Sequence, residues 1–244
     1  MNIKITYIGH SGFIAEFPHS YFIFDYYNGT IPGLDGGKDI FVFVSHSHPD
    51  HFNPEIFELE KHYRHVKYLF ANQVKRACER NEHRMGVKYP EITFLPTGKD
   101  TEITDSAGNK MMIHTLHSTD CGCAFLINYE GITVYHAGDL HWWTWPGETD
   151  ADNKKMAADY RKEIEYLEDK KIDIAFVPLD PRQEDDYALG MNYLLSHTDI
   201  RHVFPMHFWG DFSVCGKYVV GNKVPERTEF HIISEKGQNF EIEL

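Results

Sequence analysis

Four side chains that can bind a metal ion occur within six residues of the chain. The stretch Phe41–Phe52, FVFVSHSHPDHF, begins with an apolar run and then contains His46, His48, Asp50 and His51. Imidazole and carboxylate groups suit zinc and its neighbours among the divalent metals, and no thiolate is needed. A solvated His-rich tract is the alternative, but such a tract does not normally follow a buried strand and carry an Asp in register. The stretch therefore predicts a metal site.

The spacing of these ligands suits two neighbouring metal positions. Alternate residues of a strand share a face, so His46 and His48 point the same way if the strand continues. Asp50 and His51 then come round on the following turn. One short segment could therefore supply ligands to two adjacent metal ions.

The elements that would position this segment alternate between strands and helices. The first hundred residues predict strands at KITYI, FIAEF, YFIFDYY, DIFVFVS, VKYLFA and EITFL, with helices beginning at Asn53-Pro54 and running from about Asn72 to Arg84. From Lys110 the pattern repeats in kind, with a hairpin turning at Glu130-Gly131 and helices at about Asn153–Asp169 and Tyr187–His197. No linker separates the two similar halves. We therefore expect one α/β domain, residues 1–244, in which two sheets pack together with helices outside.

Composition restricts the functions that are open to the chain. The formal net charge of -13 disfavours a general RNA or DNA binder, which needs a cationic face. The four cysteines are not spaced as a disulfide framework, and the Cys121-x-Cys123 pair offers a soft-metal alternative to plain buried thiols. The sequence contains no secretory signal and no run near the roughly 18 apolar residues of a membrane span. We therefore expect a cytoplasmic protein.

The segment His46–His51 resembles the H-x-H-x-D-H signature of the metallo-beta-lactamase superfamily, which is a specific motif when it follows a buried strand. The resemblance spans most of the chain, from YIGHSGF to FPMHFW. It implies a four-layer αββα sandwich in which mixed sheets pack face to face, and two divalent metal ions, Zn or Mn with Fe as a further option. The implied ligands are His46, His48 and His117 for the first metal and Asp50, His51 and His207 for the second, with Asp139 between them.

Three of the downstream ligands have a competitor close by in the sequence. His114, His136 and His202 lie near His117, Asp139 and His207, respectively. The family pattern favours His117, which Ser-Thr follows. It likewise favours Asp139, which comes after a Gly turn, and His207, which lies at the end of the VFPM run. The competitors remain as alternatives, and His136 could also support the metals from behind.

The resemblance implies a binuclear metal-dependent hydrolase. Two cations about 3.5 to 4 Å apart can hold a bridging water and lower its pKa, so a metal-bridging hydroxide is the implied nucleophile. Asp50 would orient this nucleophile or take its proton, and His141 could donate a proton to the leaving group. Asp25 would lie behind the metal loop and support the imidazoles, unless it is a plain turn residue.

The substrate is less closely defined than the metal centre. The segments YIGHSGFIAEF and PMHF look most like the ascorbate-6-phosphate lactonase-like branch, so we expect a small-molecule ester, lactone or phosphodiester as substrate. The loop Trp142–Trp145 could wall the site, or it could pack onto the body of the protein or onto a homo-oligomer interface. A true beta-lactamase is not expected. The alternatives are an inactive metal-binding or sensor protein on the same fold, and a nuclease.

Overall fold

The chain forms fourteen strands and four α-helices, and the computed structural model describes residues 1–244. The strands are β1 (Asn2–Gly9), β2 (Gly12–Glu16), β3 (Ser20–Phe24), β4 (Asp39–Val44), β5 (Val66–Ala71), β6 (Ile92–Leu95), β7 (Asp100–Thr104), β8 (Lys110–His117), β9 (Cys123–Tyr129), β10 (Ile132–His136), β11 (Lys171–Pro178), β12 (Asp199–Met206), β13 (Glu229–Phe230) and β14 (Asn239–Glu243). The helices are α1 (Lys75–Met85), α2 (Asp150–Glu165), α3 (Leu189–His197) and α4 (Ser213–Gly221), and shorter 3-10 turns lie at Pro54–Lys61, Asn72–Val74 and Pro181–Asp186.

The strands form two seven-stranded sheets that have the same division into parallel and antiparallel strand pairs. The first has the order β14-β1-β2-β3-β4-β5-β6 and the second the order β13-β12-β11-β10-β9-β8-β7. Three strand pairs are antiparallel and three are parallel in the first sheet. The second sheet has the same division. The predicted α/β class with two similar halves and mixed sheets is therefore confirmed.

Aromatic side chains from both sheets fill the space between them. Phe13 of β2 lies 4.4 Å from Phe176 of β11, measured between ring centroids. Phe43 of β4 lies 5.5 Å from Phe125 of β9 by the same measure. These contacts belong to one hydrophobic cluster of 65 buried residues that includes both sheets. The sheets therefore pack face to face, and apolar burial is the main force that joins the halves.

The residues with metal-binding side chains follow the carboxyl ends of strands. β4 is buried along its whole length, as expected for a strand between parallel neighbours, and it ends two residues before His46. β10 ends three residues before Asp139, and β12 ends one residue before His207. Because β10 and β12 run parallel within the second sheet, Asp139 and His207 lie at the same edge of that sheet. His46 follows β4 of the first sheet and lies 3.3 Å from Asp139, so the facing edges of the two sheets meet at this site.

Several local predictions differ from the structure at their boundaries. The helix expected to begin at Asn53-Pro54 is a 3-10 turn, in which the Asn53 side chain accepts a hydrogen bond from the Glu55 amide at 3.0 Å. The helix α2 begins three residues before the expected Asn153, because Thr149 and Asp152 form a capping box. The short strand β7 and the helix α4 were not predicted. No helix is both long and apolar enough to cross a membrane.

The loop between β8 and β9 approaches the segment after β4 very closely. Gly122 has a φ of 74°, and a Cβ atom built on it would lie 1.9 Å from the Ser45 carbonyl oxygen and 2.6 Å from the His46 Cβ. The neighbouring Cys123 amide donates a hydrogen bond to that same carbonyl at 3.1 Å. The two segments can therefore lie side by side only if residue 122 has no side chain.

Replacement of Gly122 by Ala should destabilise the protein through this close approach. Gly131 provides a matched control, because its φ is also positive, at 81°, but no atom lies within 4 Å of its added Cβ. We expect Gly131→Ala to lower the free energy of unfolding by about 1–2 kcal/mol through backbone strain alone. Gly122→Ala should cost roughly 3 kcal/mol or more, because steric overlap adds to the strain. Urea unfolding of both variants tests this, and equal losses would contradict it.

Candidate metal centre

Two groups of potential ligands lie side by side at the strand ends. One group consists of His46, His48 and Asp139, and the other of His10, Asp50, His51 and His207. Within each group the ligand atoms lie within 4.8 Å of one another. The structure thus brings together six of the seven ligands that the sequence predicts, and it adds His10.

The Asp139 carboxylate links the two groups. One oxygen, Oδ2, lies 3.3 Å from His46 Nε2. The other, Oδ1, lies 3.1 Å from His51 Nε2 and 3.5 Å from His207 Nε2. Two donor atoms that bind one cation at about 2.1 Å each lie within about 4.2 Å of each other. These distances are therefore compatible with shared cations, and Asp139 is placed to contact one on each side.

Three imidazoles are held from behind through their Nδ1 atoms. His51 Nδ1 lies 2.7 Å from the Asp25 carboxylate, and His207 Nδ1 lies 2.9 Å from the Asp180 carboxylate. His46 Nδ1 lies 3.0 Å from the Ser45 hydroxyl. An imidazole fixed in this way directs Nε2 towards the centre, as metal-binding histidines require. Asp25 thus lies where the sequence places it, behind the metal loop, and Asp180 has the equivalent place behind His207.

Several polar atoms that face the centre have no hydrogen-bond partner. They are the Nε2 atoms of His10, His46 and His51 and the Oδ1 atom of Asp139, all of them buried. A buried polar group without a partner costs roughly 1–3 kcal/mol, and more if it is charged. Because the unpaired atoms converge on one place and are all good donors for divalent metals, the residues present fit metal ions there.

Burial and neighbouring charges set the protonation of this cluster. Burial lowers the pKa of His46 and of His10 to about 4, so both rings are neutral at pH 7. Burial alone would raise the pKa of Asp139, but the nearby His51 and His207 hold it well below its usual range. Burial likewise disfavours charge on His51, yet Asp139 and Asp25 outweigh it and raise the His51 pKa well above its usual value. The Asp139 carboxylate is therefore ionised, as a ligand must be, and His51 has to lose a proton to bind a metal.

The structure does not bring His117 into either group. His117 is the last residue of β8 and is still paired with Cys123 across the β8–β9 ladder, so the strand fixes its direction. Its Nε2 atom would lie 3.0 Å from a Cβ on Gly98, and its amide donates a hydrogen bond to the Glu163 carboxylate at 2.9 Å. The competitor His114 is also outside both groups, 2.7 Å from Asp100.

His141 is also placed differently from the prediction of a proton donor. Its side chain is fully buried, and neither ring nitrogen has a hydrogen-bond partner. Burial lowers the pKa of His141 to about 4, so the ring is neutral near pH 7 and lacks the additional proton that a general acid would give up. Its main chain is bound instead, because the Thr119 hydroxyl lies 2.6 Å from the His141 carbonyl oxygen and 3.0 Å from its amide nitrogen. The main chain of His141 therefore connects two loops, and its side chain is not among those that line the cavity over the metal-binding groups.

A cavity of about 320 Å³ opens directly over the metal-binding groups. Asp50, Asp139 and His207 form part of its floor, and Trp143, Trp145, Trp209 and Arg182 are among the residues of its wall. The Arg182 guanidinium lies 4.5 Å from the Trp209 ring and 5.3 Å from the Trp145 ring, measured to the ring centroids. Two tryptophans of the predicted aromatic loop thus line the cavity, whereas Trp142 packs against Tyr160 and Tyr193.

The sequence analysis gave no role to four residues of this region. His10 lies 3.2 Å from Asp50, and Asp120 lies 3.9 Å from His48, measured between the nearest nitrogen and oxygen atoms. Asp180 supports His207, and Trp209 lines the cavity. His10 and Asp180 each follow an apolar run that is typical of a strand, which is the same signal that identified His46. No comparable signal pointed to Asp120 or Trp209.

Comparisons with known proteins agree with this geometry. Residues 4–155 match a family model described as a beta-lactamase superfamily domain. A protein of Pyrococcus furiosus that is named as a metal-dependent hydrolase is 23% identical over 218 residues, which cover 84% of each chain.

Two solved structures share the fold at low sequence identity. Igni18, a metallo hydrolase from the archaeon Ignicoccus hospitalis, has a TM-score of 0.67 and 17% identity, with 100% of both chains covered. CmlA, a diiron beta-hydroxylase from Streptomyces venezuelae, has a TM-score of 0.59 and 13% identity, with 99% of this chain and 54% of CmlA covered. The lactonase-like branch stays a prediction. Since the family model matches more than half of the residues, the chain belongs to the metallo-beta-lactamase superfamily.

Proposed function

We propose that this metal-dependent hydrolase binds two divalent cations, Zn or Mn, and cleaves a small ester, lactone or phosphodiester. The single observation that supports the proposal best is the pair of ligand groups joined by Asp139, in which four buried donor atoms have no hydrogen-bond partner. His46 and His48 would serve one cation, and Asp50, His51 and His207 the other. When bound, two such cations lower the pKa of a shared water and polarise an oxygen of the substrate.

Asp50 is the side chain best placed to handle a proton. It lines the cavity, and its side chain is 19% exposed, whereas that of Asp139 is only 6% exposed. Burial would raise the pKa of Asp50, but His10 and His51 outweigh this and lower it, so the carboxylate is ionised at neutral pH. An ionised carboxylate at this place can orient the attacking water and accept its proton. Proton handling therefore falls to Asp50 and not to His141.

The cavity favours a small substrate with an anionic group. Its volume of about 320 Å³ is at the lower end of the range for small-molecule sites. Arg182 supplies a positive charge at the wall, and Trp145 and Trp209 offer flat apolar surfaces beside it. Phosphorylated lactones, to which the lactonase-like resemblance points, combine these features. The net charge of -13 disfavours nucleic acid.

Metal analysis coupled to an activity screen tests the proposal. We expect about two equivalents of Zn or Mn per chain and hydrolysis of at least one class among phosphorylated lactones, acyl esters and phosphodiesters. His46→Ala and Asp139→Ala should each lower the rate on the order of a thousandfold, because each removes a ligand that faces the centre. His65→Ala, at an exposed position on the loop before β5, should leave the rate unchanged.

Other outcomes would refute the proposal or indicate a different function. Full turnover by the metal-free His46→Ala and Asp139→Ala variants would refute metal-dependent catalysis. Two bound metals without activity on the whole panel would indicate a metal-binding or sensor protein. Cleavage of single-stranded RNA or DNA at low salt, where electrostatic binding is strongest, would indicate a nuclease.

Metal binding should release a proton from His51. In the metal-free chain the raised pKa of His51 keeps its ring protonated at pH 7, and a cation can bind Nε2 only after that proton leaves. Apparent affinity should therefore rise with pH until the raised pKa of His51 is passed, and then level off. Asp25→Asn removes one of the carboxylates that raise the His51 pKa, so less proton should be released by this variant at pH 7.

Calorimetric titration in two buffers of different ionisation enthalpy measures this release. The difference between the wild-type protein and Asp25→Asn isolates the contribution of His51 from protons lost by bound water. Equal proton release by the two proteins would contradict the assignment.

A further inference from the structure

We propose that Asp120, and not His117, completes the ligand set of the first metal position, an inference that rests on the proposed binuclear function. The group formed by His46, His48 and Asp139 offers three donors, one fewer than the four of a tetrahedral site that is closed by the protein. His117 lies outside that group because it is held in the β8–β9 ladder. With the shared water as one ligand, the position still has room for a further donor from the chain, since such sites can expand to five ligands.

Asp120 is not within the first group itself, but it belongs with His48 and Cys121 to a neighbouring group of potential ligands that adjoins the first at His48. Its Oδ2 atom lies 3.9 Å from His48 Nδ1, which is too long for a hydrogen bond but within the about 4.2 Å expected for two donors on one cation. Asp120 also lines the same cavity as His48 and Asp139. The side chains of His48 and Asp120 are 48% and 49% exposed, so both can adjust towards a cation without disturbing the core.

The loop that carries Asp120 is attached to both sides of the site. The Ser118 hydroxyl accepts a hydrogen bond from the Asp120 amide at 3.1 Å, which fixes the tip of the loop. Next to it, the Thr119 hydroxyl donates to the His141 carbonyl oxygen at 2.6 Å, close to Asp139 in the sequence. On the other side, the Gly122 amide donates to the Gln73 side chain at 2.8 Å. This attachment holds Asp120 at the cavity even though His117 is directed away.

Cys121 is the one other donor near this position. Its sulfur lies within the same 4.8 Å group as His48 and Asp120. Cys121 does not line the cavity, whereas Asp120 does. The carboxylate is therefore the better placed ligand, and it would give the first position two imidazole and two carboxylate donors, a set that suits Mn or Fe as well as Zn.

Metal binding by three single variants tests the assignment. Asp120→Asn keeps the shape of the side chain and the hydrogen bond of its amide to Ser118, so the loop should remain folded. His117→Ala and Cys121→Ser remove the two competing donors. Metal content after dialysis and the Kd for Mn and Zn are measured by elemental analysis and calorimetry, and circular dichroism of the metal-free proteins checks the fold.

We expect the wild-type protein, His117→Ala and Cys121→Ser to retain two equivalents of metal with unchanged Kd. Asp120→Asn should retain one, with the Kd of the second weakened at least tenfold. An unchanged Kd in Asp120→Asn, or loss of a metal in His117→Ala or Cys121→Ser, would overturn the assignment.

The two proposals fail in different ways. If the wild-type protein binds fewer than two metals, the binuclear function is wrong. The assignment of Asp120 is then judged on the remaining metal, and it is overturned if Asp120→Asn binds that metal as well as the wild-type protein does. A wild-type protein that binds no metal overturns both proposals.

Discussion

The site is organised around the Asp139 carboxylate, which lies between two groups of imidazoles in a buried setting. An ionised carboxylate in such a place is costly unless positive charge or hydrogen-bond donors surround it. In the metal-free chain a single proton on His51 meets part of this need, and the Nε2 atoms of His10 and His46 remain without partners. The protein thus maintains a cluster of buried donor atoms whose chemistry suits divalent cations.

Such a cluster persists because its outer atoms are well bound. Asp25 accepts hydrogen bonds from the Ser45 amide at 2.7 Å and from the Ser45 hydroxyl at 2.6 Å, and it also holds His51. On the other side, the Asp180 carboxylate lies between His207 and Arg182. These hydrogen bonds fix the orientation of the imidazole rings. They involve the outer atoms of the cluster and leave its inner atoms without partners.

The fold alone does not determine the reaction, since hydrolases and a hydroxylase share it. The functional argument therefore depends on the donor set and the cavity.

The sequence predicts those parts of the structure in which the local pattern of apolar and polar residues agrees with the position of the segment in the fold. A run of apolar residues that ends abruptly in polar ones indicates both a buried strand and a site at its carboxyl end, and this holds for His46, Asp139 and His207. The repeat of this pattern in two halves also predicts the paired sheets. The strand β7 was missed because Ile103 is its one apolar residue, and the helix α4 because it is short and contains two glycines, which disfavour a helix.

Two predicted site residues, His117 and His141, lie outside the two ligand groups for a common physical reason. In both cases the direction of the side chain depends on the last paired residue of a strand or on contacts from distant loops. His117 remains in register with Cys123, and His141 lies against Gly190, where a Cβ would come within 2.4 Å of its ring. Neither register nor such long-range packing can be read from local spacing.

The ligands come from both halves of the molecule, since His46 to His51 follow β4 in the first sheet while Asp139 and His207 follow strands of the second. Bound cations would therefore act as cross-links across the sandwich, stabilising only the state in which the two halves are docked. By thermodynamic reciprocity, any substitution that loosens the aromatic layer between the sheets, however remote from the cavity, would lower the affinity for metal.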